Sequence, residues 1–326
     1  MAVGLVLGNL FPHLNEDLDR FKVDTVSLPI AVGLMAMMFP VLAKVRYSAL
    51  GGAIADKTPI VIVLIMNWII GPLMMFALAW LTLPDLDAYR TGLVIVGLAP
   101  CIAMVIIWID LAEGSRELAT VFVAVNSLIQ IVAFSALGYF YLKTLPGWLG
   151  LDTTGIDVSM WEIARSVLIF LGIPLVAGYL TRTLGERTRG AQWYETVLVP
   201  RIGPVALYGL LFTIVVLFAL QGDRLVDRPF DVVRISLPLL AYFAVMWVVA
   251  FAVSARAGIG YEKATAVAFT AAGNNFELAI AVSIGVFGVS SGQALAGVVG
   301  PLIEVPSLLA LVYVARRLRA RYPIPD

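Results

Sequence analysis

Thr91-Gly92-Leu93-Val94-Ile95-Val96-Gly97-Leu98-Ala99-Pro100-Cys101-Ile102-Ala103-Met104-Val105-Ile106-Ile107-Trp108-Ile109 is an apolar run without a charge, interrupted at its middle by Pro100-Cys101. Apolar runs of about 20 residues span a bilayer as helices. Proline removes a backbone donor and clashes with the carbonyl one turn back, so this helix bends or breaks near its midpoint. A second run, Thr265–Phe287, is interrupted halfway by Ala272-Gly273-Asn274-Asn275-Phe276-Glu277. Two spans broken at mid-depth, in corresponding places in two halves of a chain, mark the substrate site of a secondary transporter.

Composition agrees. Hydrophobic residues make up 61% of the 326 and charged residues 13%, against about 25% charged in a soluble domain. The chain is therefore read as an all-α integral membrane protein. Its 22 basic and 22 acidic residues cancel, so net charge points to no partner. One cysteine excludes an intrachain disulfide and a Cys–Cys metal pair. The one histidine, His13, lies in a polar loop, which argues against a zinc or Ser-His-Asp site within the membrane. There is no GxxxxGK[ST] and no G-x-G-x-x-G after a strand, so neither an ATP motor nor a cofactor is expected. Basic clusters are short loop and tail runs, which gives no sign of nucleic-acid binding. No secretory signal is read at the N-terminus.

Ten spans are expected, at roughly Ala2–Phe11, Val26–Ala43, Pro59–Leu81, Thr91–Ile109, Leu118–Leu142, Ile163–Leu180, Val197–Leu220, Ile235–Ala255, Thr265–Phe287 and Ala294–Val314. The first covers only about half of a ~30 Å core, which suggests that the protein begins upstream. Ten spans divide into two five-helix repeats, residues 1–142 and 163–326, joined by the linker 143–162 with Pro146, Trp148 and Trp161 along an interface. An odd number per repeat inverts the second copy. A shift of 174 residues lays Pro100 on Asn274 and Gln130 on Glu304. Lys and Arg concentrate around residues 44–57, 182–189 and 256–263 and in Arg316–Arg321, which puts both termini in the cytoplasm.

Several polar residues stand out in these spans. A lone cysteine is usually a small hydrophobe, but Cys101 sits at a helix break, where its sulfur would be a soft ligand for a thiophilic metalloid. One thiol makes one bond and releases, which suits carrying. Glu277 at mid-membrane is expensive to insert and reads as a proton or ion relay, with a protonated structural carboxyl as the other reading. Asn274 and Asn275 can satisfy unwound backbone or contact a polar solute, and Gly273 permits close approach. Asn126 and Gln130 share a helix face, and Glu304 follows Gly300-Pro301. These three either bridge helices or complete the site. Arg201 is read as snorkelling to the interface. Trp108, two turns beyond Cys101, packs or binds.

The stretch Gly97–Val105 resembles the cysteine motif of the arsenite efflux permeases, within the bile acid/arsenite/riboflavin transporter superfamily. So do Asn274-Asn275-Phe276-Glu277-Leu278-Ala279-Ile280-Ala281-Val282, Gly300-Pro301-Leu302-Ile303-Glu304-Val305-Pro306 and Tyr208-Gly209-Leu210-Leu211-Phe212-Thr213. The resemblance implies ten helices in two inverted five-helix repeats, with the fourth and ninth broken and crossing. It implies export of As(III), in some members Sb(III), in exchange for protons. It makes Cys101 the metalloid-contacting thiol and Glu277 the essential carboxylate, with Trp108, Asn126, Asn275, Phe276 and Glu304 at further motif positions. Pro100 departs from it, since many relatives carry Arg there.

The function expected is a non-enzymatic antiporter of the inner membrane, with Asn274 and Gln130 completing the solute site and Glu277 and Glu304 coupling protons. Two alternatives stand beside it. One is a sodium-coupled organic-anion symporter, with Na⁺ among the oxygens of Asn275, Glu277 and Gln130. The other is a membrane sensor, expected to carry an appended signalling domain or long loop.

Overall fold

The computed structural model describes residues 28–45, 57–151, 158–227 and 229–320, together with 4, 6–8, 22–23, 26–27 and 322. The span expected at Ala2–Phe11 falls mostly, and His13 entirely, outside these residues, as do linker residues 152–157.

A chain this apolar must satisfy its backbone internally, and helices do so within each segment. Among the described residues, six helices are long and apolar enough to cross a membrane. They are α2 (Lys57–Thr82), α5 (Arg116–Trp148), α6 (Met160–Arg189), α7 (Ala191–Leu220), α8 (Pro229–Arg256) and α11 (Gly292–Arg319). A shorter helix, α1 (Leu28–Ala43), precedes them. It begins two residues later than the span read from Val26, because Val26–Ser27 pair antiparallel with Lys22–Val23. The Thr91–Ile109 run forms α3 (Asp87–Gly97) and α4 (Val105–Leu111). The second interrupted run forms α9 (Tyr261–Ala272) and α10 (Phe276–Phe287).

Proline leaves a second imprint. α2, α5, α6 and α7 each contain one widened turn, at Met66–Ile70, Phe140–Thr144, Leu168–Gly172 and Tyr194–Leu198. Each of these turns is followed two residues on by Pro72, Pro146, Pro174 or Pro200. A proline cannot donate to the carbonyl one turn back, and a turn wound with one extra residue absorbs the gap without ending the helix.

Packing separates the helices into two groups. α1 lies against α7 and the Ile173–Arg189 part of α6. α2, α3, α8, α9, α10 and α11 pack on one another, with α5 beside α4, α9 and the Met160–Val167 part of α6. α6 therefore ties the groups together. Its start is fixed by a reciprocal cap: Ser159 Oγ accepts from Glu162 N at 3.1 Å and Glu162 accepts from Ser159 N at 2.8 Å. On the α1 side, Arg182 donates to Lys44 O at 2.9 Å and pairs with Glu186 and Glu195, closing the carbonyl end of α1. In the α2–α3 loop, Arg234 grips Asp85 through two hydrogen bonds, which hold the Asp85 carboxyl down at about 2.

Helix approach is closest where glycine allows it. A methyl group at Gly300 on α11 would run into the ring of Phe276, which is buried at the start of α10. Gly147 has open space around it. Gly300→Ala is therefore expected to destabilise the protein by about 1–3 kcal/mol through overpacking. The check is a lower thermal melting midpoint of the detergent-purified protein, with Gly147→Ala, expected to be near neutral, as the control.

Candidate functional site

Each interrupted helix ends in the apolar interior with N–H and C=O groups that have no partner inside their own helix. Backbone unwound at membrane depth is tolerated only where it is buried in protein or lines a cavity, so these orphans need partners beyond their own helix. The two breaks supply one another. Pro100 and Asn274 face each other as an antiparallel bridge. Cys101 N donates to Gly273 O at 3.0 Å, and Asn275 N donates to Ala99 O at 2.6 Å.

Side chains satisfy further groups at the crossing, while Asn274 Oδ1 has no protein partner. Asn274 Nδ2 donates to Val96 O at 3.1 Å, satisfying a carbonyl of the last turn of α3. Asn275 caps α10, its Oδ1 accepting from Leu278 N at 3.0 Å. The same amide donates to Gln130 Oε1 at 3.1 Å, and Gln130 Nε2 donates to Pro100 O at 2.5 Å. Glu304 Oε1 accepts from Asn274 N at 3.4 Å. α5 and α11 thus each send one side chain to the crossing.

Cys101 lies within this arrangement with 1% of its surface exposed. The N–H groups of Ala103 and Met104 point at its sulfur, and its electrostatic neighbours are Glu304 and Glu277. Gly273 packs between thiol and carboxyl: a Cβ there would sit 3.0 Å from Cys101 Cβ and 3.5 Å from Glu304 Oε1. The close approach of backbone to both groups requires the missing side chain.

Beside the crossing is a cavity of about 360 Å³. One wall comes from α10 and α11, with Phe276, Glu277, Glu304 and Pro301. The opposite wall comes from α1 and α7, with Met37, Leu210, Thr213 and Leu217. The cavity therefore lies where the two helix groups meet. Its surface is mostly apolar, with two carboxyls on one side and a hydroxyl on the other. Glu277 is half-buried because it reaches this space, whereas Glu304 is buried at the rear of the wall.

The residues singled out in the sequence are thus distributed unevenly. Phe276, Glu277 and Glu304 line the cavity, and Cys101, Asn274, Asn275 and Gln130 form the crossing behind it. Met104 stands between, lining the cavity three residues after Cys101. Asn126 and Trp108 do not line the cavity. Asn126 Oδ1 accepts from Trp68 Nε1 at 3.2 Å, and the Trp108 indole N–H is buried without a partner. Arg201 is exposed. Sequence reasoning missed Asn67 and Trp68, in the widened turn of α2, although Asn67 is a polar residue in mid-span like Asn126. It also missed Tyr242 of α8, a buried tyrosine whose hydroxyl lies near the Asn274 side chain. Thr213 was quoted only as part of a motif.

This arrangement has relatives. The family model described as the Sodium Bile acid symporter family matches residues 31–228. The arsenical-resistance protein Acr3 of Corynebacterium glutamicum is 54% identical over 96% of this chain and 85% of its own length. The chain belongs to the arsenite efflux permease family. A second protein named arsenical-resistance protein Acr3, from Alkaliphilus metalliredigens, is 32% identical over 99% of the chain and 91% of its own. An uncharacterized transporter of Synechocystis sp. is 34% identical over 99% of the chain and 87% of its own. As a member of this family the chain is a multi-pass membrane transporter and not an enzyme.

The crossing yields a stability prediction. Gln130→Met fills a similar volume but strands Pro100 O and the Asn275 amide in an apolar interior. Each orphan costs about 1–3 kcal/mol. The expected result is a clearly lower melting midpoint for the purified variant, larger than for Asn126→Met, which removes one hydrogen bond from Trp68. Equal melting of Gln130→Met and wild type would contradict the role given to this amide.

Proposed function

We propose that the permease exports As(III) from the cytoplasm in exchange for protons, in the cell (inner) membrane, with lipid as its surroundings. Two relatives bearing the name arsenical-resistance protein support this reading. The observation that carries it is the cavity between the helix groups, with Glu277 and Glu304 on its wall and the Cys101 thiol directly behind.

The chemistry follows from the solute. As(III) in water is a neutral trihydroxy species, so fixed charge attracts it weakly, and a thiol and hydrogen-bonding oxygens suit it better. The Cys101 sulfur forms a bond to arsenic as one As–OH bond breaks; the thiol proton passes to a neighbouring carboxylate, which hands it to the departing hydroxide so that water leaves. Release is the reverse step with water on the far side. Glu277, reaching the cavity, holds the exchanged proton, and Glu304 relays between it and the thiol. Pro100 stands where many relatives carry arginine, so no fixed cation precedes the thiol.

Alternating access follows from the position of the cavity. One group of helices rocks against the other around a fixed crossing, which opens the cavity to each side in turn. The fold proposed is ten helices in two inverted repeats, residues 1–142 and 163–326, with 143–162 between them and both termini cytoplasmic. The hydrogen bonds support it. Under the 174-residue shift, the bond from Cys101 N to Gly273 O becomes the bond from Asn275 N to Ala99 O, and Gln130 on Pro100 becomes Glu304 on Asn274. Sb(III), with the same hydroxide chemistry, would fit the same site.

A second reading is sodium coupling, favoured by the match to the Sodium Bile acid symporter family. Asn275, Gln130 and Glu277 would then supply oxygens to Na⁺. Everted membrane vesicles distinguish the two. As(III) uptake is expected to follow an imposed pH gradient and to ignore an imposed Na⁺ gradient. Cys101→Ser and Glu277→Gln are each expected to cut the initial rate on the order of tenfold or more, equivalent to about 1.4 kcal/mol. Full uptake by both variants would remove the site assignment, and Na⁺-driven uptake would favour the second reading.

A further inference from the structure

The two walls of the cavity differ in what they offer a polar solute. The α10–α11 wall presents two carboxyls, while among the described residues lining the α1–α7 wall Thr213 is the one hydroxyl. Thr213 is 4% exposed, and its Oγ1 is buried without a hydrogen-bond partner. The hydroxyls of Thr91, Thr265 and Ser283 are also buried without a partner, but of the four residues Thr213 alone lines the cavity. In an apolar helix a serine or threonine hydroxyl ordinarily turns back onto the carbonyl four residues earlier. Thr82, Ser236, Ser254, Thr270 and Ser307 all do so here, at 2.5–2.8 Å. Thr213 does not.

The neighbouring helix makes room for this rotamer. A Cβ on Gly33 of α1 would come within 3.2 Å of Thr213 Oγ1 and closer still to the Phe212 ring. The glycine leaves space beside the hydroxyl in place of a side chain. Thr213 lines a cavity whose other wall carries two carboxyls, and its hydroxyl, covered beside Gly33 and not bonded to its own helix, has its hydrogen bonding left for something that enters the cavity and reaches it.

We propose that Thr213 is the solute contact of the α1–α7 wall, bonding one hydroxyl of a small neutral polyhydroxy solute whose other oxygens face Glu277 and Glu304. The solute then bridges the two helix groups. A loaded site is tied across the interface that must rock, and an empty one is not. This rests on the transport reading and adds to it the residue through which the moving wall feels the cargo.

Thr213→Val keeps the shape and removes the hydroxyl; Thr213→Ser restores it. Initial As(III) uptake rates in everted vesicles are measured across concentration for wild type and both variants, alongside melting of the purified proteins. The expected result is a KM raised about fivefold in Thr213→Val, the factor for one lost hydrogen bond. The Ser variant should return toward wild type, and Thr213→Val should melt no lower than wild type. An unchanged KM in Thr213→Val overturns the proposal, as does equal impairment of Val and Ser variants with lowered melting, which would mark a packing role. If wild-type vesicles take up As(III) while these results go against Thr213, only the inference fails. If wild-type vesicles take up none, the transport reading and the inference fail together.

Discussion

The backbone at two helix ends in an apolar interior governs this structure. A broken helix in mid-membrane strands amides and carbonyls that water cannot reach, and each stranded group costs roughly 1–3 kcal/mol or more. One break alone would have no remedy within its own helix. Two breaks, brought face to face, exchange hydrogen bonds between Cys101 and Gly273 and between Asn275 and Ala99. α5 and α11 then have to approach closely enough for Gln130 and Glu304 to reach the crossing. The identity of the buried polar residues follows from that need.

The same constraint explains why the site lies where it does. A crossing of unwound segments cannot pack as densely as continuous helices, and the space beside it becomes the cavity between the two helix groups. The fold and the candidate site use the same atoms: Asn274 and Asn275 satisfy backbone groups at the helix ends, and Glu304 both supports Asn274 and lines the cavity. The thiol is held at the centre of this scaffold, one glycine away from a carboxyl. In the transport cycle proposed above, the crossing stays rigid and the α1–α7 wall moves, because a fixed site serves two sides only when something else moves.

Much of this was legible from residues. Pro100 and the Gly273-Asn274-Asn275 stretch announced both breaks, since proline and clustered polar residues do not continue an apolar helix. Glu277 announced a cavity, because an ionisable group in mid-span has few other places to be. The reading was less complete for the asparagines and for Cys101. Asn274 and Asn275 were weighed as solute contacts or as backbone partners; Asn274 Nδ2 bonds Val96 O and Asn275 Oδ1 caps Leu278 N, while Asn274 Oδ1 has no protein partner. Cys101 was read as a metalloid contact and is 1% exposed, next to Gly273 and three residues before the cavity-lining Met104. Asn126 was grouped with Gln130 on spacing alone, yet its carbonyl oxygen serves Trp68, a residue placed by a widened turn that nothing but Pro72 foreshadows.

Hydropathy and helix-breaking residues are properties of local sequence, so the chain by itself determined an all-helical membrane protein, the places where two of its helices fail, and the residue types available there. Local sequence holds no information on which orphan finds which partner. That was decided by tertiary structure: the pairing of the two breaks, the side of the crossing on which the cavity opens, and the placing of Thr213, its hydroxyl unpartnered, on the wall opposite two carboxyls. The reason is physical. In an apolar medium a hydrogen-bonding group is satisfied by whatever the packing of distant helices carries to within about 3 Å of it, and that distance is a property of the assembled fold.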